Sequence, residues 1–563
     1  MIRPLQAVMV LLVVVLSAGC TSVPTSGPVT EHSLEPSGAV TGVRVAPLPP
    51  ADGATKQLIV EGFLHAMSTS ESDYRVAREY LTEAAGKAWQ PQSGVQIYAD
   101  GYPPTETDQT VVLSAPLSGA IDSGGIYRPV SGQLRQDFGL VKNADGQWRI
   151  SRPPTGLLMS RYVYSTGFLA VDVEFRARDG LSMVPDPHHF PNGQTAPLRA
   201  VQAVLDGPSS WLAPVVASRR GIKLTVSSVL VDGGIATVTL GSTTPMETIQ
   251  RDHLLSELTY TLCGLDDITA VRVIVDGQQW SYEGRSELSP GDFAGLDPGD
   301  AARPKVAFQL AGGKLTRQSS PESWSDLIDV RAGLPKASSL AASRDLTRWA
   351  LVSASGTELI TGAGTGKVSR LRTGSGLLRP SFARNGDIWS PSSAGLSALR
   401  IYRDGRALPL TITSMPSGTV RSVALALDGS RVALVLGRGS SATVGLARVS
   451  YSPLGVTLSG WAPLNTNLLG VGATDLLDVG WSSISELALL RQDPQQVGAV
   501  LVSQDGSAVS DIGPSDALRL QSMAVVPGRD PLGYSVTATV YRFDGEFNWF
   551  LVSTEVSAVA YSG

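Results

Sequence analysis

The residue with the most distinctive chemistry is Cys20, which ends the segment Leu16-Ser17-Ala18-Gly19-Cys20. Small residues before a cysteine, after a short apolar run, are typical of a bacterial lipoprotein signal, although Ser17 stands where leucine is usual. In such signals the thiol receives a diacylglycerol, the chain is cut before the cysteine, and the new amine is acylated. We therefore predict cleavage between Gly19 and Cys20 and an S-diacylglycerol, N-palmitoyl cysteine. An ordinary cleaved signal peptide with an incidental cysteine is the alternative.

The segment before Cys20 has the size of a signal peptide. Arg3 supplies positive charge, and the apolar run from Val8 to Leu16 is far shorter than the roughly 20 residues that span a bilayer. Residues 1–19 are predicted to be removed, and two or more acyl chains on Cys20 would hold the rest stably on the membrane. Residues 20–50, rich in Ser, Thr, Pro and Gly, are predicted to be a flexible tether. The expected location is the extracytoplasmic face of the cell membrane.

The other candidate chemical groups do not form a recognisable site. Cys263 is a lone thiol once Cys20 is lipidated, and we expect it to be a buried small hydrophobe. The pair His188-His189 lacks a partner motif for a metal, which favours a solvated loop. The glycine-rich segment 362–367 is similar to a phosphate-binding loop, but Val368 stands where a Mg²⁺-binding hydroxyl is required. The sequence predicts no catalytic residue, no metal and no cofactor.

The composition is that of a folded protein with several domains. The chain has 563 residues, of which 42% are hydrophobic, and a formal net charge of −5. This length is enough for about three or four domains. Nucleic-acid binding requires clustered Lys and Arg, so the negative charge balance argues against a nucleic-acid partner.

Residues 51–155 have the pattern of two helices followed by short strands. The segment 57–68 places apolar residues at helical spacing, and Asp73 can cap a second helix whose apolar face runs from Tyr74 to Ala84. Strand-like segments follow at 95–98, 110–113, 125–130, 134–141 and 147–150. Helices that lead into a curved antiparallel sheet predict an α+β cone.

Two stretches of this region carry a family resemblance. The segment from Asp73 to Thr82, followed by Trp89-Gln90-Pro91, resembles NTF2-like domains, and in particular the N-terminal domain of the actinobacterial LpqB lipoprotein family. The resemblance implies a cone that can hold a ligand or a catalytic Asp–His pair. The histidine in the predicted helices is His65, which we expect to be a surface or core residue and not a catalytic base.

Residues 166–285 alternate strands and helices in a second unit. Every second residue from 169 to 175 is apolar, and 195–206 is amphipathic. A hairpin over 222–240, a longer helix over 249–262 and a strand over 271–275 follow. This order resembles the GerMN domain, and the matching segments are Leu205-Asp206-Gly207-Pro208, Val231-Asp232-Gly233-Gly234 and Val275-Asp276-Gly277. The resemblance implies a GerMN α/β domain.

Residues 296–563 lose the helical period and show a loose repeat. A polar turn followed by a short apolar strand recurs roughly every 40 to 55 residues, close to the length of a propeller blade. The five turns lie at 343–348, 384–387, 427–431, 482–486 and 527–530. We predict a β-propeller of five to seven blades, in which strand 306–310 helps to close the ring with the C-terminus. A pair of β-sandwiches is the alternative.

The lipoprotein signal and the three modules together resemble the LpqB family over nearly the whole chain. The resemblance implies an accessory of the MtrA–MtrB two-component system that acts on the extracytoplasmic part of the sensor kinase MtrB. Through it, the family is expected to influence cell-wall homeostasis and cell division. Such an accessory needs binding surfaces and a tether, and it needs no catalytic constellation.

Two other functions remain open from the sequence. A cell-wall hydrolase acting on a glycan would need two carboxylates about 5 to 10 Å apart, and acidic residues converging in the propeller channel would favour it. A sensor that binds a cell-wall precursor would be favoured by a deep, dry, apolar cavity in the cone. Side chains that fill the cone would argue against the sensor.

Overall fold

The computed structural model describes residues 47–68, 73–108, 110–217, 224–320, 323–326, 333–364, 368–464, 475–492, 497–513, 518–545 and 548–563. Residues 47–563 form one compact unit. Gly19, Cys20, the predicted signal peptide and nearly all of the predicted tether lie outside the described residues, so the anchor stays a prediction. The α-helices of the described part are α1 (Lys56–Met67), α2 (Arg75–Glu79), α3 (Glu83–Ala88), α4 (Arg161–Gly167), α5 (Ala196–Asp206) and α6 (Thr248–Cys263).

The N-terminal domain is a curved sheet with helices α1 to α3 packed against it. Its strands are β1 (Gly94–Tyr98), β2 (Thr105–Glu106), β3 (Val111–Asp122), β4 (Tyr127–Arg128), β5 (Gln133–Asp137), β6 (Leu140–Lys142), β7 (Trp148–Ile150) and β8 (Leu157–Ser160). The sheet order is β2-β3-β1-β8, strands β4 and β5 also pair with the long strand β3, and β6 pairs with β7. The predicted α+β cone of the NTF2-like type is confirmed.

The second helix of this domain is not continuous, and that detail of the prediction was wrong. The amide of Ile150 donates to the carbonyl of Tyr80 at 2.9 Å, and the amide of Thr82 donates to the carbonyl of Ile150 at 2.9 Å. Strand β7 therefore pairs with the backbone between α2 and α3, and it occupies groups that a continuous helix would use. Thr82 then starts α3, because its hydroxyl accepts a hydrogen bond from the amide of Ala85.

The second domain has helices α5 and α6 packed against two sheets. Its strands are β9 (Phe168–Arg176), β10 (Met183–Pro191), β11 (Leu224–Asp232), β12 (Ile235–Ser242), β13 (Ala270–Val275) and β14 (Gln278–Gln279). Strands β9 and β10 form an antiparallel pair, and the other sheet has the order β11-β12-β13-β14, in which β12 and β13 run parallel. The predicted order of strand, helix, hairpin, helix and strand is confirmed. Strand β10 is an addition that the sequence pattern did not indicate.

The third domain is a β-propeller, and its described residues form six blades. Its strands are β15 (Ala307–Ala311), β16 (Lys314–Ser320), β17 (Ser323–Asp326), β18 (Ala337–Ala342), β19 (Arg348–Ser353), β20 (Glu358–Ala363), β21 (Ser369–Thr373), β22 (Ser381–Phe382), β23 (Ile388–Ser390), β24 (Arg400–Arg403), β25 (Arg406–Ala407), β26 (Leu410–Thr413), β27 (Val420–Leu425), β28 (Arg431–Leu436), β29 (Thr443–Ser452), β30 (Gly455–Pro463), β31 (Asp475–Trp481), β32 (Glu486–Gln492), β33 (Val497–Ser503), β34 (Val509–Gly513), β35 (Leu520–Ala524), β36 (Leu532–Ser535), β37 (Val540–Phe543), β38 (Trp549–Ser553) and β39 (Val556–Tyr561).

The first blade closes the ring by combining strands from both ends of the domain. Its order is β17-β16-β15-β39, and β15 pairs antiparallel with β39 in a register that sets Gln309 opposite Val559. The amide of Ser562 extends the pairing by donating to the carbonyl of Val306 at 2.9 Å. The other blades are β18–β21, β22–β25, β26-β30-β29-β28-β27, β31–β34 and β35–β38. The predicted propeller and its closure by strand 306–310 are confirmed.

The five polar turns of the sequence repeat have one shared position in the fold. Each connects the strand that lines the ring centre with the next strand of its blade: β18–β19, β22–β23, β27–β28, β31–β32 and β35–β36. Because these five central strands run in the same sense around the ring, the five turns lie on one face of the propeller. We call this the turn face.

Candidate functional site

The second half of β10 is where the three domains meet. His189 pairs in register with Ala170 of β9, and its amide donates to the carbonyl of Gly125 in the β3–β4 turn at 2.7 Å. His188 donates from Nδ1 to the carbonyl of Gly124 at 2.7 Å. Both histidines are 4% exposed. The predicted solvated loop at His188-His189 was therefore wrong, and this stretch is a buried strand.

His189 joins the second domain to the propeller by its ring nitrogens. Nε2 lies 2.6 Å from Oδ2 of Asp505, in the turn between β33 and β34, and Nδ1 lies 2.8 Å from the hydroxyl of Tyr164 on α4. Tyr127 of β4 packs on both rings, with centroid distances of 5.7 Å to His189 and 6.2 Å to Tyr164. We call His189, Asp505, Tyr164 and Tyr127 the junction.

The charges at the junction are held by hydrogen bonds in a largely buried place. Burial alone would raise the pKa of Asp505, but the hydrogen bond and charge of His189, together with the amide of Ser507, bring this pKa below its ordinary value. Burial, with the negative charge of Asp505, raises the pKa of Tyr164. Burial raises the pKa of Tyr127 to about 12. At neutral pH the junction therefore contains an ionised Asp505 and neutral tyrosines.

A second contact with the propeller lies one strand away from the junction. The hydroxyl of Ser485, in the turn between β31 and β32, donates to Oδ2 of Asp172 on β9 at 2.6 Å. Burial raises the pKa of Asp172. Its neighbour Glu174 is 3% exposed, and burial followed by the charge of Asp172 raises the pKa of Glu174 well above its ordinary value. The surroundings of Glu174 thus favour the protonated form of its carboxyl group.

The turn face of the propeller also binds the segment that precedes it. Arg384, in the turn of the third blade, donates to the carbonyls of Gly295 and Asp297 at 3.1 Å each. Arg344, in the turn of the second blade, donates from Nε to Asp300 at 2.7 Å. Arg344 and Arg384, from two of the polar turns, therefore dock the propeller on residues 295–300, and Leu296 of this segment packs on the core of the second domain.

Two further side chains fix the edge of this interface. The indole of Trp211 donates to the carbonyl of Gly460 at 2.7 Å, and Arg448 donates to the carbonyl of Trp211 at 2.7 Å. Behind them, Arg431 is 1% exposed and pairs with Asp428 at 2.8 Å. A buried ion pair that is hydrogen-bonded on both sides fixes one arrangement of its surroundings, because any other arrangement would leave a charge unpaired.

A cleft of about 220 Å³ opens between the N-terminal domain and the second domain. Its walls come from the β3–β4 turn, the residues before β1, strand β10 and one face of α5. Aromatic and apolar walls are supplied by Tyr74, Val95, Ile121, Leu157, Phe168 and Phe190. His189 of the junction is also part of the wall, so the cleft and the contact with the propeller share a residue.

The face of α5 toward the cleft is polar and carries opposite charges. Arg199, Gln202 and Asp206 line it, at spacings of three and four residues that place them on one side of a helix. The opposite side of α5, with Ala200, Val201 and Val204, is buried in the domain core. Within the described part of the chain, the side chains of Arg199 and Asp206 have no hydrogen-bond or ion-pair partner, and both are exposed.

The central channel of the propeller holds a small cavity of about 90 Å³. Arg379 is the one charged side chain among the described residues that line it, and it forms a two-pronged ion pair with Asp478 at 2.6 and 2.9 Å. Asp478 also accepts from the hydroxyl of Ser422 and, at 2.8 Å, from the amide of Met523. This network ties four blades together, and its carboxylate is fully occupied.

The cone of the N-terminal domain is filled by its own side chains. Phe63 packs against Trp89 at a centroid distance of 5.3 Å and against Phe138 at 6.4 Å, and the three are buried. The expected surface or core position of His65 is confirmed, since it is exposed on α1. Side chains packed inside the cone argue against the precursor-sensor alternative at this place.

The remaining candidate groups are structural. Cys263 is half-buried at the end of α6 and packs on the core of the second domain, and burial raises the pKa of its thiol to about 11. This agrees with a hydrophobic role, because the thiolate is scarce at neutral pH.

Gly362 lies in strand β20, and residues 365–367 of the glycine-rich segment are outside the described ranges. Over the described ranges, no three His, Cys, Asp or Glu side chains are grouped to hold a metal ion.

The structure brings together residues that the sequence did not connect. Asp505, Tyr164 and Arg199 were not singled out, and Asp505 lies 316 residues from its partner His189. Strand β10 escaped notice because Pro185, Pro187 and Pro191 interrupt it. Prolines are tolerated there because, among the described strands, β9 is the only one paired with β10, and of the other edge only the His189 amide is used, which donates to Gly125. In the described part of the chain, no helix has the length and hydropathy to cross a membrane.

Comparisons with known proteins cover almost the whole described chain. Residues 49–165 match the N-terminal domain of lipoprotein LpqB, residues 172–280 match a family described as sporulation and spore germination, and residues 313–558 match the LpqB beta-propeller domain. The chain is 31% identical over 591 residues to lipoprotein LpqB of Cutibacterium acnes, covering 99% of both chains. It is 27% identical over 601 residues to lipoprotein LpqB of Streptomyces avermitilis, covering 98% of this chain and 96% of that one.

Proposed function

Because this chain belongs to the LpqB lipoprotein family, we propose that it is a membrane-anchored accessory protein that binds and modulates a two-component sensor kinase. The partner is the extracytoplasmic domain of an MtrB-like kinase, and the outcome is an influence on cell-wall homeostasis and cell division. The anchor is lipidated Cys20, which holds the protein at the extracytoplasmic face of the cell membrane.

The composition of residues 20–50 predicts the range over which the domains can act. If these residues form the predicted tether, its root-mean-square length is roughly 30 Å. Domains held within that distance of the bilayer meet other membrane proteins at a high effective concentration, so a weak contact is sufficient. A membrane-bound kinase is therefore a suitable class of partner.

The observation that carries the proposal is that, among the described residues, the carboxylate in the propeller channel is already bonded and the cone is packed with side chains. The channel carboxylate of Asp478 is occupied by Arg379, and the cone is packed with Phe63, Trp89 and Phe138. A glycosidase would need two carboxylates facing a substrate space. The hydrolase alternative is thus disfavoured at both places, and what the three domains offer is rigid outer surface.

Rigidity between the domains supports a binding role in a second way. The junction and the docking arginines Arg344 and Arg384 hold the propeller against the second domain. A partner that binds across two domains loses little entropy in ordering them. Binding can then shift the kinase between two states, provided that one state is bound more tightly than the other.

In-cell photocrosslinking from each domain tests the proposal. A photoreactive amino acid is placed, in separate strains, at the exposed positions Tyr162, Ile249 and Leu551, and the trapped proteins are identified by mass spectrometry. We expect a sensor kinase to be trapped from at least one position and to be lost in the unanchored Cys20→Ala protein. Trapping of only wall-synthesis enzymes or glycan from all three positions would overturn the proposal.

A further inference from the structure

We propose that the cleft between the N-terminal and second domains binds a short zwitterionic peptide of about three residues, with its carboxylate on Arg199 and its ammonium group on Asp206. This proposal does not rest on the contact with a kinase. It would make the protein a receptor for a small ligand as well as a binding partner.

The shape of the cleft suits a small ligand with an apolar body. Its volume of about 220 Å³ is below the roughly 300 to 1,000 Å³ of sites for drug-sized molecules. Tyr74, Phe168 and Phe190 give it aromatic walls, and Gln92 and Gln202 add amide groups that can bond a peptide backbone. The cleft is present without a ligand, between two domains that are joined by the hydrogen bonds of His188 and His189 to the β3–β4 turn.

The charges on α5 are not explained by the stability of the helix. Arg199 lies in the first turn, at the positive end of the helix dipole, and Asp206 is the last residue, at the negative end. A helix is stabilised by acidic residues in its first turn and basic residues in its last turn, so both charges are unfavourably placed. Neither side chain has a partner within the described ranges, and Arg199 lies near enough to the hydroxyl of Tyr74 to act on its pKa against the effect of burial. An unfavourable placement beside a cleft is expected where a ligand supplies the missing countercharges.

The spacing of the two charges sets the length of the ligand. Arg199 and Asp206 are seven positions apart on the α-helix, which corresponds to about 10.5 Å along the axis at about 1.5 Å per residue. Three residues of extended chain also span about 10 Å. A guanidinium binds a carboxylate through two parallel hydrogen bonds, which favours a peptide C-terminus at Arg199.

A third charged residue of the cleft is already satisfied. Asp122, in the β3–β4 turn, accepts from the amides of Gly124 and Ile126 at 3.0 Å each and from Arg128 at 3.3 Å. Its carboxylate therefore maintains the turn. Asp206 is left as the carboxylate that can receive an ammonium group.

The cleft is also connected to the propeller. A ligand against the wall at His189 touches the side chain whose Nε2 bonds Asp505. A ligand that fits the bonded position of His189 stabilises the contact between the second domain and the propeller, because binding favours the state that binds better. Ligand binding in the cleft would thus stabilise the turn between β33 and β34, which contains Asp505.

The test is calorimetric titration of the full-length lipoprotein in detergent micelles with trialanine, N-acetyl-trialanine, trialanine amide and inorganic phosphate. We expect saturable binding of trialanine with a Kd of about 1 mM or tighter, and binding at least about tenfold weaker when either end is capped. Phosphate alone should bind no better than the capped peptides. Equal binding of capped and free trialanine, tighter binding of phosphate, or no saturation at about 10 mM trialanine overturns the proposal.

Matched variants locate the site. Arg199→Gln and Asp206→Ala should each weaken trialanine binding about tenfold, since each removes one charged hydrogen-bonding partner. The controls are Arg135→Gln on β5 and Asp145→Ala in the β6–β7 turn, which are exposed and lie outside the cleft. If the controls weaken binding as much as the cleft variants do, the peptide binds elsewhere and the assignment is wrong.

Discussion

Nε2 of His189 lies 2.6 Å from Oδ2 of Asp505, although the two residues are 316 positions apart in the chain. His189 belongs to the second domain and Asp505 to a turn of the propeller, and the other ring nitrogen of His189 contacts Tyr164. One side chain thus connects the second domain, the connecting helix and the propeller. The stability of the whole unit should depend on it.

Replacing His189 by phenylalanine should weaken the contact between the domains. His189→Phe keeps a ring in the site but leaves Asp505 and Tyr164 without their partner, and a buried charged group that loses a hydrogen bond costs about 1.5 to 3 kcal/mol. Hydrogen exchange of the amides of β10 and of the β33–β34 turn should become faster. His65→Phe on the exposed face of α1 is the control. Unchanged exchange in His189→Phe would show that the junction does not hold the domains together.

Gly125 should be required for the approach of the β3–β4 turn to β10. Its φ of +89° lies in the left-handed region, and a Cβ there would lie 2.9 Å from Cε1 of Phe190. Gly125→Ala should therefore cost the backbone strain of about 1 to 2 kcal/mol and an additional steric term. The matched control is Gly101→Ala, because Gly101 has a φ of +85° and no atom within 4 Å of its Cβ position. Equal loss of unfolding free energy in the two variants would mean that the close approach is unimportant.

Glu174 should make the protein less stable as the pH rises. Its pKa is raised in the fold, first by burial and then by the charge of Asp172, so the stabilisation it gives is complete below the unfolded pKa of about 4.3 and is lost as the pH rises through the folded pKa. The free energy of unfolding then falls by up to about 1.4 kcal/mol per pH unit in that window. Asp505 has the opposite effect on the free energy of unfolding. Because its pKa is lowered in the fold, the stabilisation it gives is lost as the pH falls through the folded pKa.

The variant Glu174→Gln isolates this effect. It should be more stable than the unmodified protein at neutral pH and nearly equal to it near pH 4, in urea unfolding measured at several pH values. Glu283→Gln, at an exposed position after β14, should follow the unmodified protein throughout. A pH profile that is the same for Glu174→Gln and Glu283→Gln would contradict the raised pKa of Glu174.

Cys20→Ala tests the anchor, which rests on the sequence alone. Without the thiol, no diacylglycerol can be added, and the protein should be recovered in the soluble fraction or as the uncleaved precursor. Cell fractionation followed by mass spectrometry of the N-terminus distinguishes these products. If the variant still fractionates as a processed membrane protein, the lipid anchor is wrongly assigned.

The architecture was predictable because each domain leaves a local pattern. The polar turns of the propeller recur at blade spacing, and strand 306–310 has the alternation needed to close the ring with β39. The break between α2 and α3 was not predictable, since it depends on hydrogen bonds from Ile150, which is about 70 residues away. The junction was hidden for a similar reason: local patterns carry no information on which turn of the propeller meets His189.

The cleft, like the junction, could not be predicted from local sequence patterns. The amphipathic pattern of α5 predicts its buried side, but the partner of its polar side is set by how two domains are joined. That Arg199 and Asp206 oppose the helix dipole is visible in the sequence only after the helix bounds are known. Unfavourable charges at helix ends are therefore a signal that a sequence analysis can use.

The central claim is that the lipoprotein binds a sensor kinase and shifts its state. The most direct measurement is the autophosphorylation rate of the kinase found by crosslinking, reconstituted in nanodiscs with and without the lipidated protein. The account predicts a saturable change in rate that the Cys20→Ala protein reproduces only at much higher concentration. The same rate with and without the lipidated protein, at concentrations that saturate crosslinking, would contradict it.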